Sequence, residues 1–205
     1  MISSKKELDF YIAADNMMNR GSFKRSFKSR IKDLIFPDYI MRYLRVMRKL
    51  DYYSNKNYPP IFVKLFYNWQ YKKLSIKLGF SIGHSCFGYG LVIPHYGTIV
   101  VGSSCRIGKY AVLHSSTCIS NMVEKIGDGL YLATGAKITS KLVLRDNVSI
   151  GANSVVNKTF DQNNIMIAGT PAKYIKDTEA WYIRDGEKFR HRVELIEKLK
   201  ESLNI

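Results

Sequence analysis

The most regular pattern in this sequence is an aliphatic residue at every sixth position through its middle. The series runs Val101, Ile107, Leu113, Ile119 and then, after a slip of one residue, Ile126, Leu132, Ile138, Leu144, Ile150 and Val156. A fixed short period is typical of a solenoid, and a six-residue period indicates a parallel β-helix. We therefore predict a mainly β domain over residues 79–175, with a core formed by a column of Ile, Leu and Val.

Glycine and proline support this prediction. Glycine follows the aliphatic position at Gly83, Gly108, Gly127 and Gly151, and we expect it there because tight corners need a positive φ. No proline interrupts residues 95–170, as strands that pair on both sides require.

The regions on either side of the repeats are predicted to be helical. Residues 1–78 form a basic α-helical region, in which Pro37 opens one helix and the Pro59-Pro60 pair opens the next, because proline at a first turn loses no hydrogen bond. Residues 176–205 contain a charged C-terminal helix with Leu195, Ile196, Leu199 and Leu203 on one side. We expect that helix to cover the open end of the solenoid, which would otherwise expose a strand edge.

The net charge of +15 is concentrated at the N-terminus, where residues 1–80 carry 17 Lys and Arg against 6 Asp and Glu. Such a surface would attract an acidic polymer or an anionic membrane face. Two other interpretations are a solubilising surface and helices that pack on a neighbouring subunit. We expect no nucleic-acid partner.

Three cysteines, Cys86, Cys105 and Cys118, form no CxxC pair. This argues against a disulfide framework and a zinc site, so we expect no metal. The first residues lead into charged sequence rather than an apolar run, and we expect no signal peptide and no spanning helix. The expected location is the cytoplasm, with a peripheral contact to the inner face of the membrane left open.

Four segments resemble the hexapeptide-repeat acyltransferases, and among them the serine acetyltransferase-like group. Residues 95–102 read His-Tyr-Gly-Thr-Ile-Val-Val-Gly, where that group has His-Ala-Thr-Gly-Ile-Val-Val-Gly. A Gly-Ala-Lys-Ile coil follows at 135–138, an Ile-Gly-Ala-Asn-Ser-Val-Val coil at 150–156, and an Ala-Gly-x-Pro-Ala-Lys segment at 168–173. The resemblance implies a left-handed β-helix, a homotrimer, and acetyl-CoA bound in a groove between subunits.

The chain also departs from that group. Serine acetyltransferases have an Asp where this chain has Pro94, and a second His at the position aligned with Val123. They also have an acidic residue upstream of the first His that orients it, whereas residues 78–90 of this chain contain none. The short basic N-terminal region is more similar to the acetyltransferases of capsule and exopolysaccharide pathways. We therefore predict an acetyl-CoA-dependent O-acetyltransferase that acts on a saccharide hydroxyl. The alternatives are a serine O-acetyltransferase and a non-catalytic β-helix binding or scaffold protein.

His95 is the candidate general base, because imidazole accepts a proton near neutral pH and the acceptor hydroxyl must lose one. His114 lies 19 residues later. Three hexads make one coil of 18 residues, so His114 is expected one coil along at the same edge, as a second catalytic residue. His84 is a further candidate for the place of the missing acid.

The donor site is predicted at the small-residue corners, where the backbone amides would hold the pantetheine arm and thioester of acetyl-CoA. These are Ala133, Gly135, Ala136, Gly151 and Ala152. Lys158 and Lys173 are expected to meet the anionic nucleotide end of the donor.

Overall fold

The computed structural model describes residues 2–24, 31–33, 35–55 and 60–205. Its helices are α1 (Lys5–Arg20), α2 (Tyr39–Ser54), α3 (Ile61–Leu78), α4 (Trp181–Arg184) and α5 (Glu187–Ser202). Pro37 lies two residues before α2, and Pro60 caps the start of α3. Pro59, the other residue expected to open α3, lies outside the described residues.

Twelve short strands separate α3 from α4. They are β1 (Phe80–Ile82), β2 (Ile99–Val101), β3 (Val112–Leu113), β4 (Thr117–Ile119), β5 (Lys125–Ile126), β6 (Tyr131–Leu132), β7 (Lys137–Ile138), β8 (Val143–Leu144), β9 (Ser149–Ile150), β10 (Val155–Val156), β11 (Ile165–Gly169) and β12 (Ala172–Asp177). They form three sheets, ordered β1-β2-β4-β7-β10, β12-β11-β9-β6-β3 and β5-β8. All pairs except β11 with β12 are parallel, and each joins neighbouring coils. The predicted left-handed parallel β-helix, flanked by helices, is confirmed.

The aliphatic residues of the hexads all point inward. Every residue of the series from Val101 to Val156 is at most 4% exposed. Most of the ladder registers align a hexad residue with the hexad residue one coil further along, as Ile119 aligns with Ile138. Burying one such side chain contributes about 1.5–3 kcal/mol. The column therefore supplies much of the driving force for stacking the coils.

The corner glycines are needed for a different reason from the one we expected. Gly83, Gly108, Gly127 and Gly151 are not among the residues with positive φ. A Cβ on Gly108 would lie 2.7 Å from the Asp128 backbone nitrogen. Stacked coils thus approach too closely for a side chain at these positions. The expected positive φ is wrong, and the close approach of neighbouring backbones is the physical reason for glycine there.

The N-terminal helices are tied to the first coil by a buried ion pair. Arg48 of α2 is fully buried and donates to the Asp15 carboxylate of α1. It also donates to the backbone carbonyls of Phe87 and Gly88 at 2.7 Å each. Burial raises the pKa of Asp15, and the charge of Arg48 opposes that rise. A buried pair of this kind holds its elements in one arrangement, because breaking it leaves an uncompensated charge.

The C-terminal helix does not cover the open end of the solenoid, so that expectation is wrong. Ile196 of α5 packs in one cluster with Phe10 and Met18 of α1 and with Val112 of β3. Glu197 accepts hydrogen bonds from the hydroxyl groups of Tyr89 and Tyr110. Helix α5 therefore lies against the side of the early coils. At the far end, β12 turns back antiparallel to β11 and occupies that sheet edge.

Within the part of the chain that the structure describes, none of the helices combines the length and the apolar character that crossing a bilayer requires.

Candidate active site

His95 lies in an exposed loop that enters β2, and the loop is held at both ends. On one side, the Asp15 carboxylate accepts from the amide of Leu91 at 3.0 Å, and the Asn19 side chain donates to the Leu91 carbonyl at 2.8 Å. On the other side, the amide of Gly97 donates to the Leu78 carbonyl at 3.0 Å. Helices α1 and α3 thus fix the backbone around an imidazole that is itself exposed to solvent.

His114 lies beside His95 on the next coil, where the spacing of the sequence predicted it. The two ring centroids are 6.2 Å apart. Nε2 of His114 is 3.0 Å from the hydroxyl oxygen of Tyr131, which lies one coil further along. Burial lowers the pKa of His114, and the neighbouring His95 lowers it further, against the smaller influence of Asp185. His114 is therefore neutral at neutral pH, and it does not add a second positive charge when His95 takes up a proton.

No carboxylate contacts His95 among the residues that the structure describes. His84, the candidate for that place, packs edge-on against Tyr71 at 6.3 Å between ring centroids, and burial lowers its pKa. Val123, aligned with the second histidine of serine acetyltransferases, is buried in the core. The ring that adjoins His95 is His114.

Tyr131 lies between His114 and a groove of about 310 Å³. The groove is lined by Tyr131, Ala133, Ser149, Ile150, Gly151, Ala152, Met166, Lys176, Thr178 and Arg184. The guanidinium of Arg184 lies 5.0 Å over the Tyr131 ring and donates to the Ser149 hydroxyl at 3.0 Å. Lys176 and Arg184 thus lie beside the groove, with Arg184 also paired with Asp185 at 2.8 Å. Such cations suit a ligand that carries anionic groups.

Three predicted donor-site residues, Ala133, Gly151 and Ala152, line this groove. Gly135 and Ala136 are buried in a neighbouring corner, and Lys158 and Lys173 lie on exposed surface outside the groove lining. The donor-site assignment of all seven residues stays a prediction.

We expected the backbone amides at these corners to bind the donor, but at four of the five positions the amide already donates a hydrogen bond within the protein. The amides of Ala133 and Gly151 donate to carbonyls of the next coil, at 3.1 and 2.9 Å. The amide of Gly135 donates to the Ser115 carbonyl of the preceding coil and that of Ala136 to the Ala133 carbonyl, at 3.1 Å each. The small side chains leave room for a ligand to approach, but few backbone N–H groups remain free to bind it.

Sequence reasoning missed Tyr131, Lys176 and Arg184. Tyr131 had a usable signal, since it lies 17 residues after His114, about one coil. Lys176 and Arg184 belong to β12 and α4, after the repeats end, where no period predicts a position.

The cysteines do not form a nucleophilic centre in the structure. Cys86 and Cys105 are buried and Cys118 is partly buried. Burial raises the pKa of the Cys86 thiol to about 12, so it is protonated and a poor nucleophile at neutral pH. Among the described residues there is no group of three or more His, Cys, Asp or Glu that could hold a metal ion.

The sequence is similar to curated serine acetyltransferases. It is 31% identical over 124 residues to that of Staphylococcus xylosus, an alignment that covers 56% of each chain. It is 30% identical over 112 residues to that of Staphylococcus aureus (strain Mu50 / ATCC 700699), covering 51% of each. The chain therefore spans about half the length of the curated relatives it matches. No protein-family model matches the sequence.

Solved structures share the fold. A serine acetyltransferase in complex with CoA superposes with a TM-score of 0.61 at 20% identity, covering 82% of this chain and 67% of that one. The Neisseria gonorrhoeae serine acetyltransferase superposes with a TM-score of 0.63 at 18% identity, covering 90% and 72%. At these identities the likeness concerns the fold. The sequence and structure comparisons together confirm the predicted resemblance to the serine acetyltransferase-like group of hexapeptide-repeat acyltransferases.

Proposed function

We propose that this protein transfers an acetyl group from acetyl-CoA to the hydroxyl group of a small acceptor, with His95 as general base. The observation that carries the proposal is the line from His95 through His114 and Tyr131 to the groove beside Arg184. It has an exposed imidazole at one end and, on the following coils, a groove with Lys176 and Arg184 in its lining at the other. A solved relative in the fold is a complex with CoA.

In the proposed reaction the acceptor oxygen attacks the carbonyl carbon of the thioester, and His95 takes the hydroxyl proton. The bond between that carbon and sulfur then breaks, and the proton passes to the departing CoA thiolate. We propose that the acetyl group moves directly, because among the described residues no serine or cysteine is hydrogen-bonded to His95 for activation as a nucleophile. His114 supports His95 as a neutral neighbour, since burial lowers its pKa.

The comparisons favour L-serine as the acceptor over the saccharide expected from the sequence. The curated relatives reported above are serine acetyltransferases, and so are the solved structures. We therefore propose L-serine as the first acceptor, with acetyl-CoA as donor.

A saccharide hydroxyl is the second candidate. It is favoured by the surroundings of His95, which has Pro94 before it and, among the described residues, no carboxylate in contact. With no carboxylate against His95, this end of the site offers no obvious partner for the ammonium group of an amino acid, and a neutral sugar hydroxyl has no such requirement.

The test is release of free CoA thiol from acetyl-CoA, measured with L-serine and with a panel of mono- and oligosaccharides, together with the mass of each acceptor. Gain of one acetyl group on L-serine supports the first acceptor, and gain on a sugar alone supports the second. If no acceptor causes thiol release at any concentration tested, and the protein is folded and still binds CoA, the result would favour the non-catalytic scaffold instead.

A further inference from the structure

Helix α3 exposes an apolar stripe to solvent. Five large side chains recur on one side of the helix, namely Phe62, Leu65, Phe66, Trp69 and Ile76. All are exposed, Phe62 by 83%, Trp69 by 59% and Ile76 by 85%. The buried residues of this helix, Tyr71 and Leu78, lie on its other side and pack in the main core. A helix that is apolar on both sides is expected to be covered on both.

Every charged residue of helix α3 is a lysine. Helix α3 carries Lys64, Lys72, Lys73 and Lys77, and its sequence contains no Asp or Glu. Helical spacing places Lys72 along one edge of the stripe, and Lys73 and Lys77 along the other. The surface thus combines apolar anchors with cations, and no carboxylate of α3 neutralises them.

A groove of about 500 Å³ between α2 and α3 continues this surface. It is lined by Tyr39, Arg42, Arg45, Val46, Lys49, Tyr67, Trp69, Gln70, Lys73, Leu74 and Lys77. None of these described lining residues is acidic.

Aromatic rings hold several of the lysines in place. The Lys73 ammonium lies 5.3 Å over the Trp69 ring, that of Lys77 lies 3.7 Å over Tyr39, and that of Lys49 donates to the Tyr67 hydroxyl at 3.2 Å. The hydrogen bond and charge of Lys77 lower the pKa of Tyr39. The groove is therefore a site for anionic groups, with Trp69 shared between it and the apolar stripe.

Charge decides between the partners that could cover this surface. A second copy meeting it face to face would bring the cations of α3 and of the groove against an identical set, with no carboxylate of α3 to offset them, and like charges at a contact are costly. An anionic lipid surface offers phosphates for the groove and an acyl boundary for the stripe. We propose that the α2–α3 groove and the outer stripe of α3 dock this protein on an anionic bilayer.

The experiment is flotation of the full-length protein with vesicles of phosphatidylcholine alone and with vesicles that contain one quarter phosphatidylglycerol. We expect binding to the anionic vesicles, weakening as salt is raised, because charges at a membrane surface are screened. The chain has two tryptophans, and Trp181 is already buried. A blue shift of emission on binding therefore reports Trp69, and it should be absent in Trp69→Phe.

Paired variants separate the surface from general electrostatics. Lys72→Glu with Lys73→Glu should lower the partition coefficient at least tenfold, given the attraction expected per cation near an anionic surface. Phe62→Gln with Phe66→Gln should lower it by a similar factor through loss of the apolar contact. Lys6→Glu with Lys198→Glu makes the same change in net charge at exposed sites of α1 and α5 and should bind nearly as the parent does.

Two results would overturn the proposal. One is the absence of binding to anionic vesicles at low salt. The other is self-association of the parent protein through this face. It would be shown if Phe62→Gln with Phe66→Gln lowered the sedimentation coefficient and left vesicle binding unchanged.

Discussion

His95 is exposed while its backbone is fixed, which separates its proposed chemical role from any role in stability. We expect His95→Ala to lower kcat by roughly 10²–10⁴, the range for loss of a general base. The thermal midpoint should stay close to that of the parent, because the ring is exposed and the loop is held by Asp15, Asn19 and Leu78. The measurements are thiol release from acetyl-CoA and a melting curve. A variant with near-parental turnover would show that another group takes the proton.

His114 gives the protein a direction of pH dependence. Its pKa is lowered in the folded state by burial and by His95, so the unfolded chain binds a proton at a higher pH than the folded one. The folded state therefore loses stability as pH falls below about 6.5, the ordinary pKa of histidine, and nothing is lost above it.

We expect His114→Gln to lose less unfolding free energy than the parent between pH 7 and pH 5, measured by denaturant titration. His191→Gln, at an exposed position of α5, is the control and should follow the parent. If the pH dependence of His114→Gln is unchanged, the half-buried ring does not govern this loss.

At the scale of the elements, the hexads explain why each short strand is stable only in its stack. Strand β5, outside the sheet β1-β2-β4-β7-β10, gives a matched pair, since Ile126 points into the column and is buried, whereas Lys125 points outward and is exposed. We expect Ile126→Asp to prevent soluble folding, because an unpaired buried charge costs several kcal/mol. Lys125→Asp should change the unfolding free energy by less than about 0.5 kcal/mol. Similar solubility and denaturation of the two variants would mean that the inward register is misassigned.

The period of the sequence was sufficient to predict this column, because every sixth residue points into the core and must therefore be apolar. It was not sufficient to predict why glycine follows the aliphatic residue. The cause at Gly108 is a backbone atom 2.7 Å from a Cβ, and that atom belongs to a residue 20 positions away. Local sequence carries no trace of such a contact.

In the helices, too, the hydrophobic pattern predicts which side is buried but not which polar residues are buried with it. The apolar residues of α2 predicted its buried side, yet Arg48 stands among cations that look solvent-facing in sequence. It is buried because Asp15 and two carbonyls of the first coil receive it. Likewise Arg184 reaches the groove from α4, outside the repeats. Both positions depend on long-range packing. A single sequence therefore predicted that His95 and His114 lie together, but not which cations lie near them.

At the scale of the whole molecule, one face of the β-helix is our candidate for the contact of the predicted homotrimer. The outward positions of the sheet β1-β2-β4-β7-β10 align in register as Ser81, Val100, Cys118, Lys137 and Val155. With a single charge among them, this row is far less polar than the basic helices. His95 lies four residues before β2, so a contact through this face would put the imidazole at a subunit boundary.

The homotrimer predicted from the resemblance is thus a prediction about this face. We expect light scattering to give a mass three times the 23.6 kDa of the chain. Val100→Glu, at an outward and exposed position, should shift the protein toward monomer, because it would bury a charge in each copy of the contact, while the melting curve of the β-helix persists. Lys125→Glu, outward on the separate sheet β5-β8, should leave the mass unchanged. A parent protein that is monomeric at micromolar concentration, yet fully active, would show that His95 works without a neighbouring subunit.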